Sequence, residues 1–303
     1  MQMTMTQIKT IYCRLNGGLG NQLFQYAAAR TWADEAGANL VLDTRSILKR
    51  SEHNGMGDLL GLNVRAVEGK PNEASRIFPE VNWRISRALR NIKTPLLGCY
   101  HETKNSGPDI VSIGKISKLL VSGFWQSETF FLRNRHNITK DLTLRHGFSD
   151  QGLRFKRIIE AGPSISIHVR RGDYLASEFN RSRYGVCSAG YYRSAISAIK
   201  AHSPDCQLVL FSDDVEWVKH VFEKASNYIL ISGNGLSTAE ELMLMSKCDH
   251  HIISNSTFGW WGAWLNPSET KRIIAPTPWF SDMKLNSATL IPPQWLIMPK
   301  EQP

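Results

Sequence analysis

Several features that would place a chain quickly in a class are missing from this one. The five cysteines form no CxxC pair and no Cys/His pairing of zinc-site spacing, which argues against a zinc site or a disulfide framework and favours a reducing compartment. No stretch approaches the roughly 20 consecutive apolar residues of a membrane span. The N-terminal MQMTMTQIKTIYC lacks the basic and apolar regions of a secretion signal. We therefore expect a cytoplasmic protein.

The chain has enough apolar sequence for a large core. Its 303 residues, 42% of them hydrophobic, suit two domains better than one. Repeats of solenoid period and low-complexity segments are absent from the sequence. The most regular pattern begins near residue 150, so we predict an N-terminal domain over 1–158 and a C-terminal domain over 159–303.

Positive charge is unevenly distributed. Residues 1–150 hold 20 Lys and Arg against 13 Asp and Glu, whereas residues 151–303 hold 16 against 14. Such an excess suits an anionic partner, such as a membrane surface or a phosphorylated molecule, and it also suits plain solubility. The basic residues neither gather into a motif nor interleave with aromatics, so no nucleic-acid partner is expected.

Hydrophobic periodicity predicts an α/β protein. The N-terminus combines a strand over 9–15, a glycine loop over 16–20, a helix over 21–36 and a strand over 39–43, which is a βαβ start. Strands alternating with helices in the C-terminal half predict a parallel, doubly wound sheet. These elements are predicted over 149–161, 164–168, 189–201, 207–211, 214–225, 228–232, 238–247 and 250–253.

The stretch SISIHVRRGDY, residues 164–174, is central to the functional prediction. Its apolar alternation predicts a strand, which places Arg170 and Arg171 near the carboxyl end, where ligands of parallel α/β sheets bind. A guanidinium matches the paired oxygens of a phosphate, so a phosphate-bearing substrate is one interpretation. The alternative is an arginine pair held in surface ion pairs with Asp173.

Two further loops should join this one at the same sheet edge. In SNSTFGWWGAWLN, Ser256 and Thr257 can hydrogen-bond a diphosphate and Phe258 can pack on a ring. In FSDD, Asp213 or Asp214 can accept the adjacent N–H donors of guanine. The alternative for one of these two aspartates is a helix N-cap.

Two segments of the N-terminal half allow two interpretations each. The basic amphipathic stretch 78–93 is either an interfacial helix on anionic lipid or an ordinary surface helix that packs inward, with Trp83 and Ile85 on one face. Trp125 and Phe130 either stack on a sugar or belong to the core.

Together, GGLGNQLFQYAAAR, GFWQSETFF, HVRRGDY, FSDD and SNSTFGWWGAWLN resemble the α-1,2-fucosyltransferases of glycosyltransferase family eleven. The resemblance covers most of the chain. HVRRGD alone is shared with α-1,6- and protein O-fucosyltransferases, whereas its combination with GGLGNQ and STFGWWGAWLN is highly specific.

The resemblance implies a GT-B-like fold of two Rossmann-like domains, with GDP-β-L-fucose bound by the C-terminal one and the acceptor met by the N-terminal one. It implies inverting transfer of L-fucose to the 2-hydroxyl of a galactose in an oligosaccharide or lipid-linked glycan, in bacterial O-antigen (lipopolysaccharide) synthesis. The resemblance also implies that His168 lies at the nucleotide and that Asn21 and Gln22 belong to the substrate-binding residues. A cytoplasmic enzyme that acts on a lipid-linked acceptor is also expected to contact the inner membrane peripherally.

The catalytic base stays open between Asp173 and Glu178. Glu178 lies ten residues after His168, a spacing similar to that of the base in α-1,6-fucosyltransferases, but it falls in a polar loop. A carboxylate paired with arginine is a poorer base, which is the objection to Asp173. We expect no metal or other cofactor, because the arginine pair, with Arg171 as a catalytic residue, supplies the positive charge. A metal-dependent GT-A transferase and a fucosyltransferase of another linkage, such as α-1,6, are the alternatives.

Overall fold

The structure is a computed structural model, and its chain forms two compact units, Met1–Arg145 and His146–Pro303. The division precedes the helix predicted over 149–161, because Phe155 and Ile159 of that helix pack into the core of the second unit. The residues described by the structure are 8–48, 59–88, 98–103, 106–109, 116–223, 225, 228–282, 285 and 288–301.

The N-terminal unit contains a parallel sheet. Its strands are β1 (Thr10–Arg14), β2 (Asn39–Asp43), β3 (Val67–Glu68), β4 (Cys99–His101) and β5 (Lys118–Ser122). They pair in the order β3-β2-β1-β5-β4, so β1 is central. Its helices are α1 (Leu19–Ala36), α2 (Arg45–Leu48), α3 (Pro71–Ile77), α4 (Glu80–Ala88) and α5 (Arg135–Asp141), with 3₁₀ turns at Glu128–Phe130 and Leu132–Asn134.

Helix α1 is buried around most of its circumference, so its polar side chains need internal partners. Tyr26 donates to Asp141 Oδ2 at 2.8 Å, and Arg30 Nε donates to the same oxygen at 2.8 Å. Asp141 therefore fastens the end of α5 to α1. The helix ends at Gly37, whose left-handed backbone, with φ 60°, suits a residue without a Cβ.

The amphipathic stretch differs from its prediction. In the described part of this stretch α4 spans Glu80–Ala88, and residues 89–93 lie outside the described residues. Trp83 packs against the buried cluster that includes Phe78 and Leu120, whereas Ile85 is 45% exposed, so the two do not share a buried face. Among the described residues, no helix combines the length and the apolar character needed to cross a membrane.

The C-terminal unit contains the predicted parallel, doubly wound sheet. Its strands are β6 (Ser164–Val169), β7 (Gln207–Ser212), β8 (Tyr228–Leu230), β9 (His250–Ile252), β10 (Ile273–Thr277) and β11 (Leu296–Pro299). They pair in the order β11-β10-β9-β6-β7-β8, in which the chain turns from one side of β6 to the other. Its helices are α6 (Asp150–Glu160), α7 (Gly172–Leu175), α8 (Glu178–Tyr184), α9 (Ala189–Lys200), α10 (Val215–Val221), α11 (Thr238–Met245) and α12 (Thr257–Leu265).

Strand β6 is buried along its whole length, including its polar residues. The alternation seen in the sequence therefore does not mark a solvent-facing side. Instead, the polar side chains bond to the β9 region: Ser164 Oγ to Asp249 at 3.1 Å, Ser166 Oγ to His251 Nδ1 at 2.7 Å. Buried polar groups without such partners would be costly, so these bonds fix which strand lies beside β6.

His251 is fully buried and neutral. The side-chain amide of Asn266 donates to Nε2 at 2.8 Å, which leaves the proton on Nδ1, where it is donated to Ser166. Burial, reinforced by the positive charge of Lys271, lowers the pKa of His251 to about 3.

We predict that His251 makes the second unit sensitive to acid. The His251 imidazole binds a proton near pH 6.5 in the unfolded chain and near 3 in the folded one. Its contribution to the free energy of unfolding is therefore constant above about pH 6.5 and falls as the pH drops towards 3. Replacing His251→Gln should remove about 2 kcal/mol of the wild-type loss between about pH 7 and pH 5, measured by urea unfolding. An imidazole ¹⁵N spectrum that shows protonation of His251 in the folded protein at pH 5 would contradict this assignment.

Candidate functional site

Three loops meet at the carboxyl edge of the second sheet, as predicted. They follow β6, β7 and β9, which are adjacent in the sheet. Because the strand order reverses between β6 and β9, the crevice there is the usual ligand position of such sheets. Ser254 N donates to His168 O at 3.1 Å across this crevice.

The His168 ring lies at this edge of the sheet and is held in one orientation by Ser254 and Phe258. Its Nδ1 lies 2.8 Å from Ser254 Oγ, and its ring centroid lies 5.6 Å from that of Phe258. Burial, with the positive charge of Arg170 as the second cause, lowers the pKa of His168 to about 3, so the ring is neutral. A Cβ on Gly259 would lie 2.8 Å from His168 Nδ1, so glycine is needed for this close approach.

The two arginines take different positions. Arg170 Nε lies 2.9 Å from Asp173 Oδ1 and 3.2 Å from Asp213 Oδ2. Arg171 Nε lies 3.3 Å from Asp214 Oδ2, and its guanidinium carbon lies 4.2 Å from the centroid of the Trp217 ring. The predicted ion pair with Asp173 is thus present, but a guanidinium has five N–H donors, and both arginines make their closest carboxylate contacts through Nε.

The two aspartates of FSDD have separate structural tasks. Asp214 is the N-cap of α10 and accepts from Trp217 N at 3.1 Å, which is the capping alternative that the sequence left open for one of the pair. Asp213 accepts from the backbone of Arg171 at 2.9 Å and of Gly172 at 3.1 Å. Both oxygens of Asp213 therefore hold the backbone that follows β6, residues 170–172, in its conformation; we call this segment the arginine loop.

The third loop opens helix α12. Ser256 is its N-cap and accepts from Phe258 N at 3.3 Å. Thr257 is the first helical residue, and both Thr257 and Phe258 are partly exposed. The predicted trio therefore lies at a helix N-terminus beside His168, where an anion is stabilised by the helix dipole.

The candidate bases lie on two short helices. Asp173 is exposed in α7 and paired with Arg170. Glu178 is exposed at the start of α8, next to the capping residue Ser177, and has no ion pair in the described part of the chain.

Asn21 and Gln22 lie in the N-terminal unit, beside the glycine loop that follows β1. Asn21 Oδ1 accepts from Gln126 Nε2 at 2.8 Å and is partly exposed. Gln22 is completely buried and its Nε2 donates to Gly17 O at 2.8 Å, so its side chain shapes the loop, and its contact with substrate stays a prediction.

Asn255 is the residue of the second unit that the motif analysis passed over. It is buried, and its Nδ2 lies 2.9 Å from Tyr184 O, 3.2 Å from Gly185 O and 3.0 Å from Trp279 O. Its own carbonyl accepts from Tyr174 Oη at 3.0 Å. Asn255, which lies just before α12, thereby connects helix α7, the end of α8 and the segment at Trp279. Its place inside SNSTF, among residues assigned to a ligand, was the available signal.

The described residues contain no group of three or more His, Cys, Asp or Glu side chains placed to hold a metal ion. The sequence profile of Glycosyl transferase family 11 matches residues 80–298, most of the chain. The chain belongs to glycosyltransferase family 11. It is therefore a glycosyltransferase, as the sequence motifs predicted.

Curated relatives align over nearly the whole chain. The α-1,2-colitosyltransferase of Escherichia coli is 32% identical over 296 residues, covering 96% of this chain and 99% of that protein. The O-antigen biosynthesis glycosyltransferase WbnK of Escherichia coli is 30% identical, covering 92% and 98%. The galactoside 2-α-L-fucosyltransferase Sec1 of Mus musculus is 24% identical, covering 93% and 72%.

A solved family of fucosyltransferase structures shares the fold. The NodZ α-1,6-fucosyltransferase, from a crystal soaked with GDP-fucose, has a TM-score of 0.53 and 16% identity, covering 89% of this chain and 96% of that one. The predicted GT-B-like combination of two parallel α/β domains is confirmed.

We predict that Asn255→Ala lowers the free energy of unfolding by about 1 to 3 kcal/mol, because Trp279 O loses its donor at a buried position and Tyr184 O and Gly185 O each lose one bond. Asn234→Ala serves as the matched control, since that amide bonds Leu230 O and Ile231 O at an exposed position. Urea denaturation of both variants measures the difference, and equal losses would count against a special role for Asn255.

Proposed function

We propose that this glycosyltransferase transfers L-fucose from GDP-β-L-fucose to the 2-hydroxyl of a terminal galactose, with inversion and without a metal ion, in bacterial O-antigen synthesis. The observation that carries the proposal is the convergence of Arg170, Arg171 and the N-terminus of α12 at the switch point of the second sheet. The α-1,2 linkage and the O-antigen context are supported by the names of the relatives, and galactose by that of the mouse protein.

The donor diphosphate suits the positive end of this crevice. Arg170 and Arg171 present terminal guanidinium donors, and the positive end of the α12 dipole, at Thr257, favours an anion in the same place. We assign the recognition of guanine to His168 and Asp213. Nδ1 of the neutral His168 ring is occupied by Ser254 Oγ, so Nε2 is the nitrogen left for a base. Asp213, although it accepts from the backbone of Arg171 and Gly172 and contacts Arg170 Nε, retains one lone pair on Oδ1.

The chemistry follows from these positions. The bond between fucose C1 and the β-phosphate oxygen breaks as the acceptor O2 bonds to C1 from the opposite side, so a β-linked donor gives an α-linked product. Negative charge grows on the departing phosphate, where Arg171 stabilises it. The hydroxyl proton passes to a carboxylate. Glu178 suits this role better than Asp173, because Asp173 is held by Arg170 and Glu178 has no such partner among the described residues.

A second candidate donor deserves the same assay. The colitosyltransferase is 32% identical to this chain, and colitose is L-fucose without its 3-hydroxyl group. A GDP-linked 3-deoxy sugar would use the same diphosphate contacts, so the two donors differ only at the sugar.

We predict transfer from GDP-fucose to methyl β-D-galactoside that EDTA does not reduce, because arginines replace the metal at the leaving diphosphate. Purified protein should be assayed with GDP-fucose and with GDP-colitose, and the product linkage determined by NMR. An α-(1→2)-linked fucoside is the expected product. Preference for GDP-colitose would establish the second candidate, and a β-linkage or activity restored only by Mn²⁺ would overturn the mechanism.

We predict that Arg171→Ala lowers kcat by about 100-fold or more, because the contact it loses strengthens as charge develops on the phosphate. Arg171→Lys should recover little, since an ammonium cannot present two parallel donors. Arg193→Ala, at an exposed site on α9, is the control for removal of one positive charge. A near wild-type kcat for Arg171→Ala, with circular dichroism unchanged, would remove Arg171 from the mechanism.

A further inference from the structure

Loop 123–126, which follows β5 in the N-terminal unit, holds an aromatic ring in solvent. Phe124 is 42% exposed. Among the exposed large apolar side chains in the described part of this unit, it is the aromatic one. The neighbouring Trp125 is 1% exposed and packs against Trp32 and Phe130. The two aromatics singled out in the sequence, Trp125 and Phe130, are thus core residues, and Phe124 is the available one.

The conformation that displays Phe124 is unusual and firmly held. Trp125 has φ 53°, in the left-handed region that non-glycine residues rarely adopt. Glu102 accepts from Phe124 N at 2.6 Å and from Trp125 N at 3.0 Å, so one carboxylate binds both amides of the turn. A Cβ on Gly123 would lie 2.3 Å from Glu102 Cβ, so only glycine lets the carboxylate reach that place. Strained turns fixed in this way are typical of functional sites.

Gln126, two residues after Phe124 in the same loop, has an amide side chain. Gln126 Nε2 donates to Asn21 Oδ1 at 2.8 Å, and this bond connects the loop after β5 with the glycine loop after β1. Gly17 has φ 79°, and a Cβ there would lie 2.5 Å from Asn21 Nδ2. Each amide has two donors and two acceptor lone pairs, so a single bond between them leaves capacity for hydroxyl groups.

We propose that Phe124, Asn21 and Gln126 form the subsite for the acceptor sugar, with Glu102 as the residue that positions the ring. An aromatic ring covers the apolar face of a pyranose, and amides bond its hydroxyls. All three contacting side chains are neutral, which selects a neutral sugar over a phosphate. Both loops follow adjacent parallel strands, at the edge where such sheets bind ligands. The choice of a galactoside rests on the proposed function.

The test compares Phe124→Ala, Phe124→Tyr and the control Leu132→Ala, which removes a 46% exposed apolar side chain of the same unit. With GDP-fucose saturating, Phe124→Ala should raise the KM for methyl β-D-galactoside by about tenfold or more, and Phe124→Tyr should stay within about threefold of wild type. The KM for GDP-fucose should be unchanged in all three. An unchanged acceptor KM in Phe124→Ala overturns the inference and leaves the proposed function intact.

A binding measurement without donor separates the two proposals. Saturation-transfer NMR with methyl β-D-galactoside should show contact in wild type and Leu132→Ala and lose it in Phe124→Ala, even if no sugar transfer occurs. Glu102→Gln, which gives one backbone amide a donor in place of an acceptor, should raise the acceptor KM without changing kcat or the donor KM. Absence of any galactoside signal in wild type, or a signal that survives Phe124→Ala, would overturn the subsite.

Discussion

The arrangement of the second unit depends on the buried side-chain hydrogen bonds between β6 and the β9 region. Buried polar side chains of β6 bond to partners on or beside β9, and the last of them, His168, bonds to Ser254 at the crevice itself. On this side of β6, a strand with such buried hydroxyl and imidazole groups needs β9 as its neighbour, because another strand there would leave them unsatisfied. The same bonds that choose the neighbour therefore also place the ligand-facing end of the strand.

Both units use one device to shape a loop. In the second unit Asp213 accepts from two consecutive amides of the arginine loop, and in the first unit Glu102 accepts from two consecutive amides of loop 123–126. A glycine stands at each place, Gly172 and Gly123, where a Cβ would meet the carboxylate side chain. A charged acceptor with two backbone donors is stronger than a neutral one, so each loop keeps its shape without a ligand.

Sequence patterns predicted the second unit well and its details less well. Its elements between residues 149 and 253 were mostly recognisable because apolar periods and capping residues such as Ser149 coincide. Strands β10 and β11 and the short helices α7 and α8 were not predicted, and Glu178, expected in a polar loop, begins α8. Parallel strand order predicted that Arg170, Arg171 and Ser256 would converge, and the family resemblance added His168. The task of Asp213 could not be predicted, since its partners are backbone amides that any residue supplies.

Aromatic residues of the first unit show a second limit. Trp125 and Phe124 are adjacent, and no periodicity distinguishes which faces the core, because the left-handed turn at Trp125 breaks the alternation. The inward-packing interpretation likewise put Ile85 on one face with Trp83, yet Ile85 is 45% exposed while Trp83 packs against the buried cluster. Local conformation decided these positions, and a pattern of residue types carries no record of it.

The distribution of charge separates the two candidate sites chemically. Although the N-terminal half carries most of the excess positive charge, the buried cations at its sheet edge have carboxylate partners: Arg45 Nη2 bonds Asp43 at 2.7 Å, and Arg14 pairs with Glu80. Arg14 keeps one buried nitrogen, Nη1, without a partner among the described residues, and the loops after β1 and β5 otherwise present Phe124 and the amides of Asn21 and Gln126, which suit a neutral sugar. In the second unit Arg170 and Arg171 keep donors beyond their ion pairs, next to a helix N-terminus, which suits a diphosphate. The overall charge of a domain therefore did not indicate which unit holds the anion site, because what matters is how many cationic donors remain at the sheet edge once the local ion pairs have formed.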